Sequence, residues 1–280
     1  MKKIIFLLFT SLMFAMSANA VVTVCDIGPD GNGNFSSPYI KSGSIKWDKN
    51  SKTLTLNNAI IEYSSSTPYD FVYPICISDD ATIVIQGECK VMTTGFVALS
   101  FSSYDVKNIT ITGDGSLYTS STWVDISIGF TRLTIKDINL ETVMGISDNG
   151  TGNNVALTFD NVQATINDRV ERVGEGITFI GCAITYPADA YISDSLDYGY
   201  AIYCGNDDFP DKIIISRLGG NRGDVNGDGS IDVADVTSLI AKVLGNPVGI
   251  FHSENADLND DGIFDVSDVT ALIKLVLNNN

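Results

Sequence analysis

Residues 224–235 read Asp-Val-Asn-Gly-Asp-Gly-Ser-Ile-Asp-Val-Ala-Asp, and residues 257–268 repeat the pattern as Asp-Leu-Asn-Asp-Asp-Gly-Ile-Phe-Asp-Val-Ser-Asp. The two copies start 33 residues apart, and 13 of 22 positions are identical when residues 224–245 are aligned with residues 257–278. In each copy a polar, acidic stretch leads into an apolar one. The C-terminal part of the chain is therefore one unit written twice.

The spacing of the oxygen-bearing side chains fits a calcium loop. A hard cation takes six to eight oxygen ligands, and a loop of twelve residues supplies them from positions 1, 3, 5, 7, 9 and 12, with glycine at position 6 for the turn. Gly229 and Gly262 occupy that turn position. We expect a backbone carbonyl to act at position 7 and a water-mediated contact at position 9. The predicted ligands are Asp224, Asn226, Asp228, Ser230, Asp232 and Asp235 in the first copy, and Asp257, Asn259, Asp261, Ile263, Asp265 and Asp268 in the second.

Charge repulsion favours occupied loops. Two carboxylates about 4 Å apart repel by roughly 4 kcal/mol at an effective dielectric constant of about 20. Because several carboxylates converge in each loop, we expect an empty loop to open. The alternative is a pair of acidic turns that bind no ion. The sequence thus predicts two Ca²⁺ ions here and leaves open whether further calcium binds elsewhere in the chain.

Each loop is followed by apolar residues at positions i, i+3, i+4, i+7 and i+8, which predicts an amphipathic helix. We expect the two apolar stripes to bury each other. They consist of Val236, Leu239, Ile240, Val243 and Leu244 in the first helix, and of Val269, Leu272, Ile273, Val276 and Leu277 in the second.

The duplicated segment, residues 222–280, resembles a type I dockerin, an EF-hand-like module that docks proteins onto cohesin domains. Both loops end in Asp instead of the Glu of an ordinary EF-hand, and Gly219-Gly220-Asn221 disfavours a helix before the first loop. The resemblance implies a cohesin-type partner read by residues early in each helix, here Val233, Ala234, Val266 and Ser267. These pairs differ from the Ser-Thr pair common in cellulosomal dockerins. A calcium-stabilised cap with no partner is the alternative.

The N-terminus is typical of an export signal. Met1-Lys2-Lys3 precedes an apolar run from Ile4 to Met16, and an Ala-x-Ala site ends at Ala20. This pattern predicts a cleaved signal peptide over residues 1–20. The apolar run is too short to span a membrane. We therefore expect a secreted or cell-surface protein without a membrane span.

The chain carries 17 basic and 34 acidic residues, a formal net charge of −17. Nucleic acids and anionic lipids bind basic patches, so this charge argues against both as partners. Acidic polysaccharides such as pectate would need bridging cations.

A short strand, mostly of the form apolar–Thr–apolar, recurs through the larger part of the chain and is followed each time by an Asn, Asp or Gly corner. Alternating strands at a drifting spacing of 20–29 residues are typical of a parallel β-solenoid, in which corners take left-handed backbone angles. The copies start at Leu54, Ile83, Ile109, Leu133, Leu157 and Ile177, and their corners are Asn57-Asn58, Gln86-Gly87, Gly113-Asp114-Gly115, Lys136-Asp137, Asp160-Asn161 and Ile180-Gly181. An antiparallel β-sandwich is the alternative.

The predicted fold is therefore mainly β. A parallel β-solenoid over residues 21–218 and a linker at 219–221 precede a small all-α calcium-binding domain over 222–280.

The solenoid shows no catalytic constellation. The only histidine, His252, lies outside it, so a serine or cysteine nucleophile would have no histidine base there. Asp79-Asp80 and Asp207-Asp208 fit solvated turns better than a catalytic pair.

Aromatic residues in insertions between strands favour sugar binding, because sugar rings stack on exposed aromatic faces. The candidates are Tyr69, Phe71, Tyr73, Tyr118 and Trp123. Each of them fits the solenoid core equally well. The repeat pattern over residues 45–185 is also similar to calcium-dependent carbohydrate-binding β-helix proteins. The sequence thus favours a secreted, non-catalytic polysaccharide-binding protein tethered to a cohesin. A solenoid polysaccharide lyase or hydrolase and a surface adhesin or assembly component remain the rival functions.

Overall fold

The computed structural model describes residues 22–25, 27–64, 73–148, 154–195, 199–217, 222–226, 228, 230–246, 251–259 and 261–278. The signal-peptide prediction for residues 1–20 lies outside these ranges. The described strands are, in chain order, β1 (Val22–Val24), β2 (Ile40–Asp48), β3 (Thr53–Tyr63), β4 (Ile75–Ile77), β5 (Ala81–Gln86), β6 (Glu88–Thr93), β7 (Val97–Gly113), β8 (Ser116–Ser120), β9 (Val124–Lys136), β10 (Asn139–Thr142), β11 (Ile146–Ser147), β12 (Ala156–Asp160), β13 (Gln163–Ile166), β14 (Val170–Glu171), β15 (Gly176–Ile180), β16 (Cys182–Tyr186), β17 (Tyr191–Ser195), β18 (Gly199–Tyr203) and β19 (Ile213–Arg217). The helices are α1 (Val233–Val243), a 3-10 turn (Ser253–Asn255) and α2 (Val266–Asn278).

Parallel pairing stacks the strands into three faces. The first face runs through β3, β5, β7, β9, β12 and β15. The second runs through β3, β6, β8, β10 and β13, and the third through β4, β7, β9, β11 and β14. Strands that follow one another in the chain thus lie on successive faces, and each pairs with the equivalent strand of the next coil. The parallel β-solenoid is confirmed, and the antiparallel sandwich is wrong.

Apolar side chains stack along the inside of the first face. Its central ladder runs from Leu54 through Ile83, Ile111, Ile135 and Phe159 to Phe179. The sequence pattern aligned Ile109 with Ile83, a spacing of 26 residues, whereas Ile83 pairs with Ile111, 28 residues on. A shift of two residues keeps the same side chains on the inner face because strand side chains alternate with a period of two. The pattern alone therefore could not fix this register.

The corners between the first and second faces have the predicted left-handed backbone. Their φ angles are +46° at Asn58, +66° at Gly87, +58° at Asp137, +51° at Asn161 and +59° at Gly181. Asn, Asp and Gly adopt this region at low cost. The Asn161 amide also donates to Asp137 Oδ1 over 2.7 Å, which ties one corner to the next.

Antiparallel strands cover both ends of the solenoid. At the N-terminal end, β1 pairs with β4 and β2 pairs with β3. At the C-terminal end, β19 lies between β13 and β16 and is antiparallel to both. The β17–β18 hairpin adds buried Ile202 to the core. These antiparallel strands cover the strand edges at which a parallel stack could otherwise pair with another chain.

The C-terminal module has its own small core. Helices α1 and α2 contribute Val236, Leu239, Val269, Leu272 and Val276 to it. The core is completed by Val225 and Ala256, which lie outside the helices.

Candidate functional sites: two acidic loops and a solenoid groove

In the first loop the early polar side chains fold back onto the backbone. Asp224 is 1% exposed, and its Oδ1 accepts the amide of Asp228 over 3.0 Å. The Asn226 amide donates to Asp228 Oδ2 over 2.9 Å, and Asp228 Oδ1 accepts the amide of Ser230 over 2.9 Å. Positions 1, 3, 5 and 7 of the loop are thus gathered by hydrogen bonds.

The second loop repeats this arrangement with one difference. Asn259 donates to Asp261 Oδ2 over 2.8 Å, and Asp261 Oδ1 accepts the amide of Ile263 over 2.8 Å. Asp257 Oδ2 accepts the amide of Gly262, whose φ of +78° fits the predicted turn position. Asp257 Oδ1 is buried and has no hydrogen-bond partner. An unsatisfied buried carboxylate oxygen is costly, so this atom needs a ligand. Gly229, the matching turn residue of the first loop, lies outside the described residues.

The last residue of each loop is completely buried. Asp235 accepts backbone amides from Val225 (2.7 Å), Asn226 (3.0 Å) and Asp232 (2.9 Å). In the second copy, Asp268 accepts those of Leu258, Asn259 and Asp265 over 2.8, 3.3 and 3.1 Å. Each carboxylate therefore joins the start of its loop to the helix that follows.

Position 9 is the N-cap of the helix in both copies. Asp232 Oδ1 accepts the amide of Ala234 over 2.7 Å, and Asp265 Oδ1 accepts that of Ser267 over 2.6 Å. A carboxylate at an N-cap satisfies a free helix amide and interacts favourably with the helix dipole. Asp232 and Asp265 thus have a structural role beside the water-mediated one expected of them.

The loop residues fit calcium by their chemistry. They offer carboxylate, amide and carbonyl oxygens, as a hard cation requires, and the orphan Asp257 Oδ1 is an available ligand atom. Within the described ranges, no three His, Cys, Asp or Glu side chains gather in a metal-binding arrangement. The loop carboxylates accept hydrogen bonds from backbone amides instead, and the predicted ligand set also includes Asn side chains and backbone carbonyls. The fit of the loops to calcium therefore rests on their oxygen ligands and on the unpaired Oδ1 of Asp257.

The two loops brace each other at their first residues. Asn255, two residues before the second loop, donates to the carbonyl of Asp224 over 2.7 Å. Arg222, two residues before the first loop, donates to the carbonyl of Asp257 over 2.7 Å. This reciprocal contact follows the sequence duplication, although Asn and Arg are not similar residues. The loops consequently form one unit.

Only part of each predicted helix stripe is buried. Val236, Leu239 and their counterparts Val269 and Leu272 pack inside, as expected. The prediction is wrong for the i+4 and i+8 positions. These side chains lie on one flank of the stripe, at 40° and 80° from the i position, and that flank does not face the partner helix. They are Ile240 in α1 and Leu244 at its C-cap, and Ile273 and Leu277 in α2.

The exposed residues form an apolar strip on each helix. Val233 at the start of α1 is 69% exposed, and Leu244 at its C-cap is 71% exposed. At 100° per residue, Val233, Ile240 and Leu244 lie on one side of the helix. Val266, Ile273 and Leu277 form the same strip on α2. The predicted partner-binding residues Ala234 and Ser267 are exposed beside the two strips.

A groove of about 440 Å³ lies on the outer side of the second solenoid face. Its walls come from β6, β8, β10 and β13, so it crosses four coils. The outward-facing residues form two rows that the strand register fixes. One row is Glu88, Ser116, Asn139 and Gln163, and the other is Lys90, Tyr118, Glu141 and Thr165.

The groove takes in one of the five predicted aromatic residues, Tyr118. Trp123 is 59% exposed and contacts Phe96 edge-on with ring centroids 6.1 Å apart, but it does not line the groove. Tyr73 is half-buried, and burial raises its pKa to about 12. Tyr69 and Phe71 lie outside the described residues. Of the three candidates among the described residues, Tyr118 alone lines the groove.

The two Asp-Asp pairs occur at surface corners, in agreement with the solvated-turn interpretation. Asp79 pairs with Lys52 at 3.2 Å and Lys107 at 3.5 Å. Asp80 Oδ1 accepts the amide of Asn108 over 2.8 Å. Asp207 and Asp208 are exposed near the β17–β18 hairpin. The first pair thus joins neighbouring coils.

No helix in the described part of the chain is long and apolar enough to cross a membrane.

The model of the type I dockerin domain matches residues 222–277. A search of curated proteins and a search of solved structures found no match to the chain. Type I dockerin domains bind calcium and dock to cohesin partners, and proteins that carry them are typically extracellular. The duplicated loops, the N-capped helices and the matched residues agree, and the C-terminal module of this chain is a type I dockerin domain.

Proposed function

We propose that this chain is a secreted, non-catalytic polysaccharide-binding protein. The solenoid groove holds the glycan, and the dockerin domain binds a cohesin-type partner in a calcium-dependent manner. The observation that carries the glycan part is the groove across four coils, with polar side chains around Tyr118. Clefts with an aromatic wall and a few convergent polar groups are the usual form of small-ligand sites.

The polar rows suit a chain of sugars. Sugar hydroxyls are both donors and acceptors, and the groove supplies both kinds of partner: the carboxylates of Glu88 and Glu141 accept, and the ammonium of Lys90 donates. Tyr118 offers a rigid ring that loses little entropy on binding. Because equivalent positions recur from coil to coil, the groove presents polar side chains along its length, as an extended polymer requires.

The partner-binding part is supported by the exposed apolar strips. Val233, Ile240 and Leu244 and their counterparts on α2 leave apolar surface in water on a small, calcium-dependent domain. Contiguous exposed apolar surface marks interaction sites. Calcium, when bound, would cross-link the early loop residues to the start of each helix and so hold both strips in place.

Binding of polysaccharides tests the first part. The full chain is incubated with β-glucan, xylan, cellulose, pectate and mucin glycans in millimolar calcium, and retained protein and released sugar are measured in the same tubes. We expect retention without product. Tyr118→Ala is expected to weaken retention about tenfold, roughly the loss of 1.4 kcal/mol. Tyr186→Ala, which removes an exposed aromatic ring outside the groove, is the matched control.

The same tubes separate the rival functions. Soluble product from any polysaccharide would make the protein a lyase or hydrolase. The absence of both retention and product would favour an adhesin with a protein ligand. Retention that Tyr118→Ala does not change would mean that the glycan binds outside the groove.

Binding of type I cohesin domains tests the second part. We expect an interaction in calcium that chelation abolishes. Leu244→Asp with Leu277→Asp is expected to reduce affinity at least about 100-fold, because a buried unpaired charge at an interface is costly. The fold of this variant is checked by circular dichroism in calcium. Cohesin binding that survives both the chelator and the variant would contradict the proposal.

A further inference from the structure

The charged side chains of the groove differ from those elsewhere on the solenoid. At the corners, charges pair between coils: Lys52 with Asp79, Arg132 with Glu175, and Lys136 with Asp160. In the described part of the chain, no ion pair or side-chain hydrogen bond involves the carboxylates of Glu88 and Glu141 or the ammonium of Lys90. All three residues are exposed. The groove thus keeps its charges available.

The register spreads these charges around the aromatic ring. Tyr118 pairs directly with Lys90 on one side and with Glu141 on the other. Lys90 and Glu141 therefore lie two strands apart, about 10 Å between their Cα atoms. Glu88 precedes Lys90 by two residues and points to the same side of the strand. The side chains that line the groove therefore include two carboxylates and one ammonium, which sum to −1, in a chain whose formal net charge is −17.

A contact from β19 orients one further polar group. Arg217 Nη1 donates to Asn139 Oδ1 over 3.2 Å, and its other nitrogens donate to the carbonyls of Asn161 and Ile138 over 2.9 and 3.1 Å. Because Asn139 Oδ1 is engaged, its Nδ2 amide is the end available to a ligand in the groove. The three acceptors are neutral, so the guanidinium keeps its positive charge beside Asn139, which lies two strands away from Glu88 in the same row.

We propose that the groove binds an uncharged polysaccharide and rejects polyuronates, with Glu88 and Glu141 as the specificity-determining residues. This inference rests on the proposed glycan-binding function. A hydroxyl of a neutral sugar donates to a carboxylate, and such charge-assisted hydrogen bonds are about twice as strong as neutral ones. A uronate carboxylate brings a like charge beside Glu88 and Glu141, and like-charge contacts suppress wrong partners.

The test uses the full chain, a neutral β-glucan and polygalacturonate, with binding measured by affinity electrophoresis at low ionic strength in calcium and in chelator. The wild type is expected to bind the neutral polymer at least about tenfold more tightly than polygalacturonate. Glu88→Gln with Glu141→Gln is expected to weaken neutral binding about three- to tenfold and to strengthen polygalacturonate binding about tenfold. Opposite changes in one variant cannot come from misfolding. Asp105→Asn with Asp194→Asn removes the same formal charge outside the groove and is expected to change neither affinity.

The other outcomes overturn this inference in distinguishable ways. The wild type could bind both polymers equally, or the double Gln variant could lose affinity for both. Either result would show that Glu88 and Glu141 do not select against charged polymers, and it would leave the proposed glycan binding intact. Polygalacturonate binding that needs calcium and is lost in the double Gln variant would assign Glu88 and Glu141 to a bridging cation. Binding of no polysaccharide, in wild type or variants, would remove the proposed function as well.

Discussion

The solenoid and the dockerin domain are stabilised in different ways. In the solenoid, residues 20–30 positions apart stack into ladders, and 43 described apolar residues form one buried core. The dockerin core contains seven such residues, and its polar contacts lie mostly within twelve-residue loops. Domains of about 60 residues rarely gain enough from their core and commonly need a metal or a disulfide. This difference predicts that calcium changes the stability of the dockerin domain and leaves the stability of the solenoid unchanged.

The largest effect is expected from removing the first predicted ligand of both loops. Asp224→Ala with Asp257→Ala should unfold the dockerin domain even in millimolar calcium, because metal binding supplies part of the folding free energy of such small domains. Hydrogen exchange measures this directly: amides of α1 and α2 should lose protection, and those of the solenoid strands should keep it. Protected helices in this variant, or loss of protection in both regions, would contradict the distinction.

A core substitution in the solenoid should show the opposite pattern. Phe159 is fully buried, pairs in register with Ile135 and Phe179, and stacks on Phe179 with ring centroids 5.4 Å apart. Phe159→Ala is expected to cost about 3–5 kcal/mol through lost burial and the cavity left behind. Chemical denaturation should show this loss equally with and without calcium. A loss that depends on calcium would mean that the two regions are coupled.

The reciprocal contacts between the loops give a smaller, graded effect. Asn255 is 3% exposed, so Asn255→Ala removes a buried hydrogen bond to the carbonyl of Asp224 and should cost about 1–3 kcal/mol. Arg222 is only half-buried, and Arg222→Ala should cost less because water can replace its contact with Asp257. Thermal unfolding of the dockerin domain in calcium ranks the two variants. The reverse order would show that the two contacts are not graded by burial.

The smallest effect is expected at a solenoid corner. The amide of Asp80 and the nearby Lys52 and Lys107 lower the pKa of Asp79. A lowered pKa stabilises the fold above the pKa of the unfolded chain, and the contribution is lost as pH falls through the folded-state pKa. Asp79→Asn should therefore cost about 1 kcal/mol or less at neutral pH and nothing in strong acid. Chemical denaturation across the acidic range checks this. Asp105→Asn is the control, because this exposed carboxylate has no ion pair among the described residues. A difference between Asp79→Asn and wild type that persists in strong acid would argue against the charge-based explanation.

Local patterns predicted local structure well. The residue types at the corners predicted the left-handed backbone of Asn58, Asp137 and Asn161, and the acidic spacing predicted the loops. Both features depend on residues that are close in sequence. Register between coils depends on packing, so the pairing of Ile83 with Ile111 was missed by two residues. The antiparallel placement of β19 likewise depends on distant strands.

The candidate sites were predicted unevenly for the same reason. The twelve loop residues could be listed from spacing alone, whereas the exposure of Leu244 and Leu277 depends on which side of each helix meets the other. The groove residues Glu88, Lys90 and Asn139 carry no motif, and only lateral stacking of the coils brings them beside Tyr118. A register-aware alignment of the repeats would have been the signal that found them.

Calorimetry of the unmodified chain tests the central distinction most directly. The chain is heated across a series of free calcium concentrations and in excess chelator. Two transitions are predicted: a dockerin transition whose temperature rises with the logarithm of calcium concentration, as expected for a ligand that binds only the folded state, and a solenoid transition that stays fixed. A single transition, or two that respond equally to calcium, would contradict the account of a self-sufficient solenoid joined to a calcium-dependent dockerin.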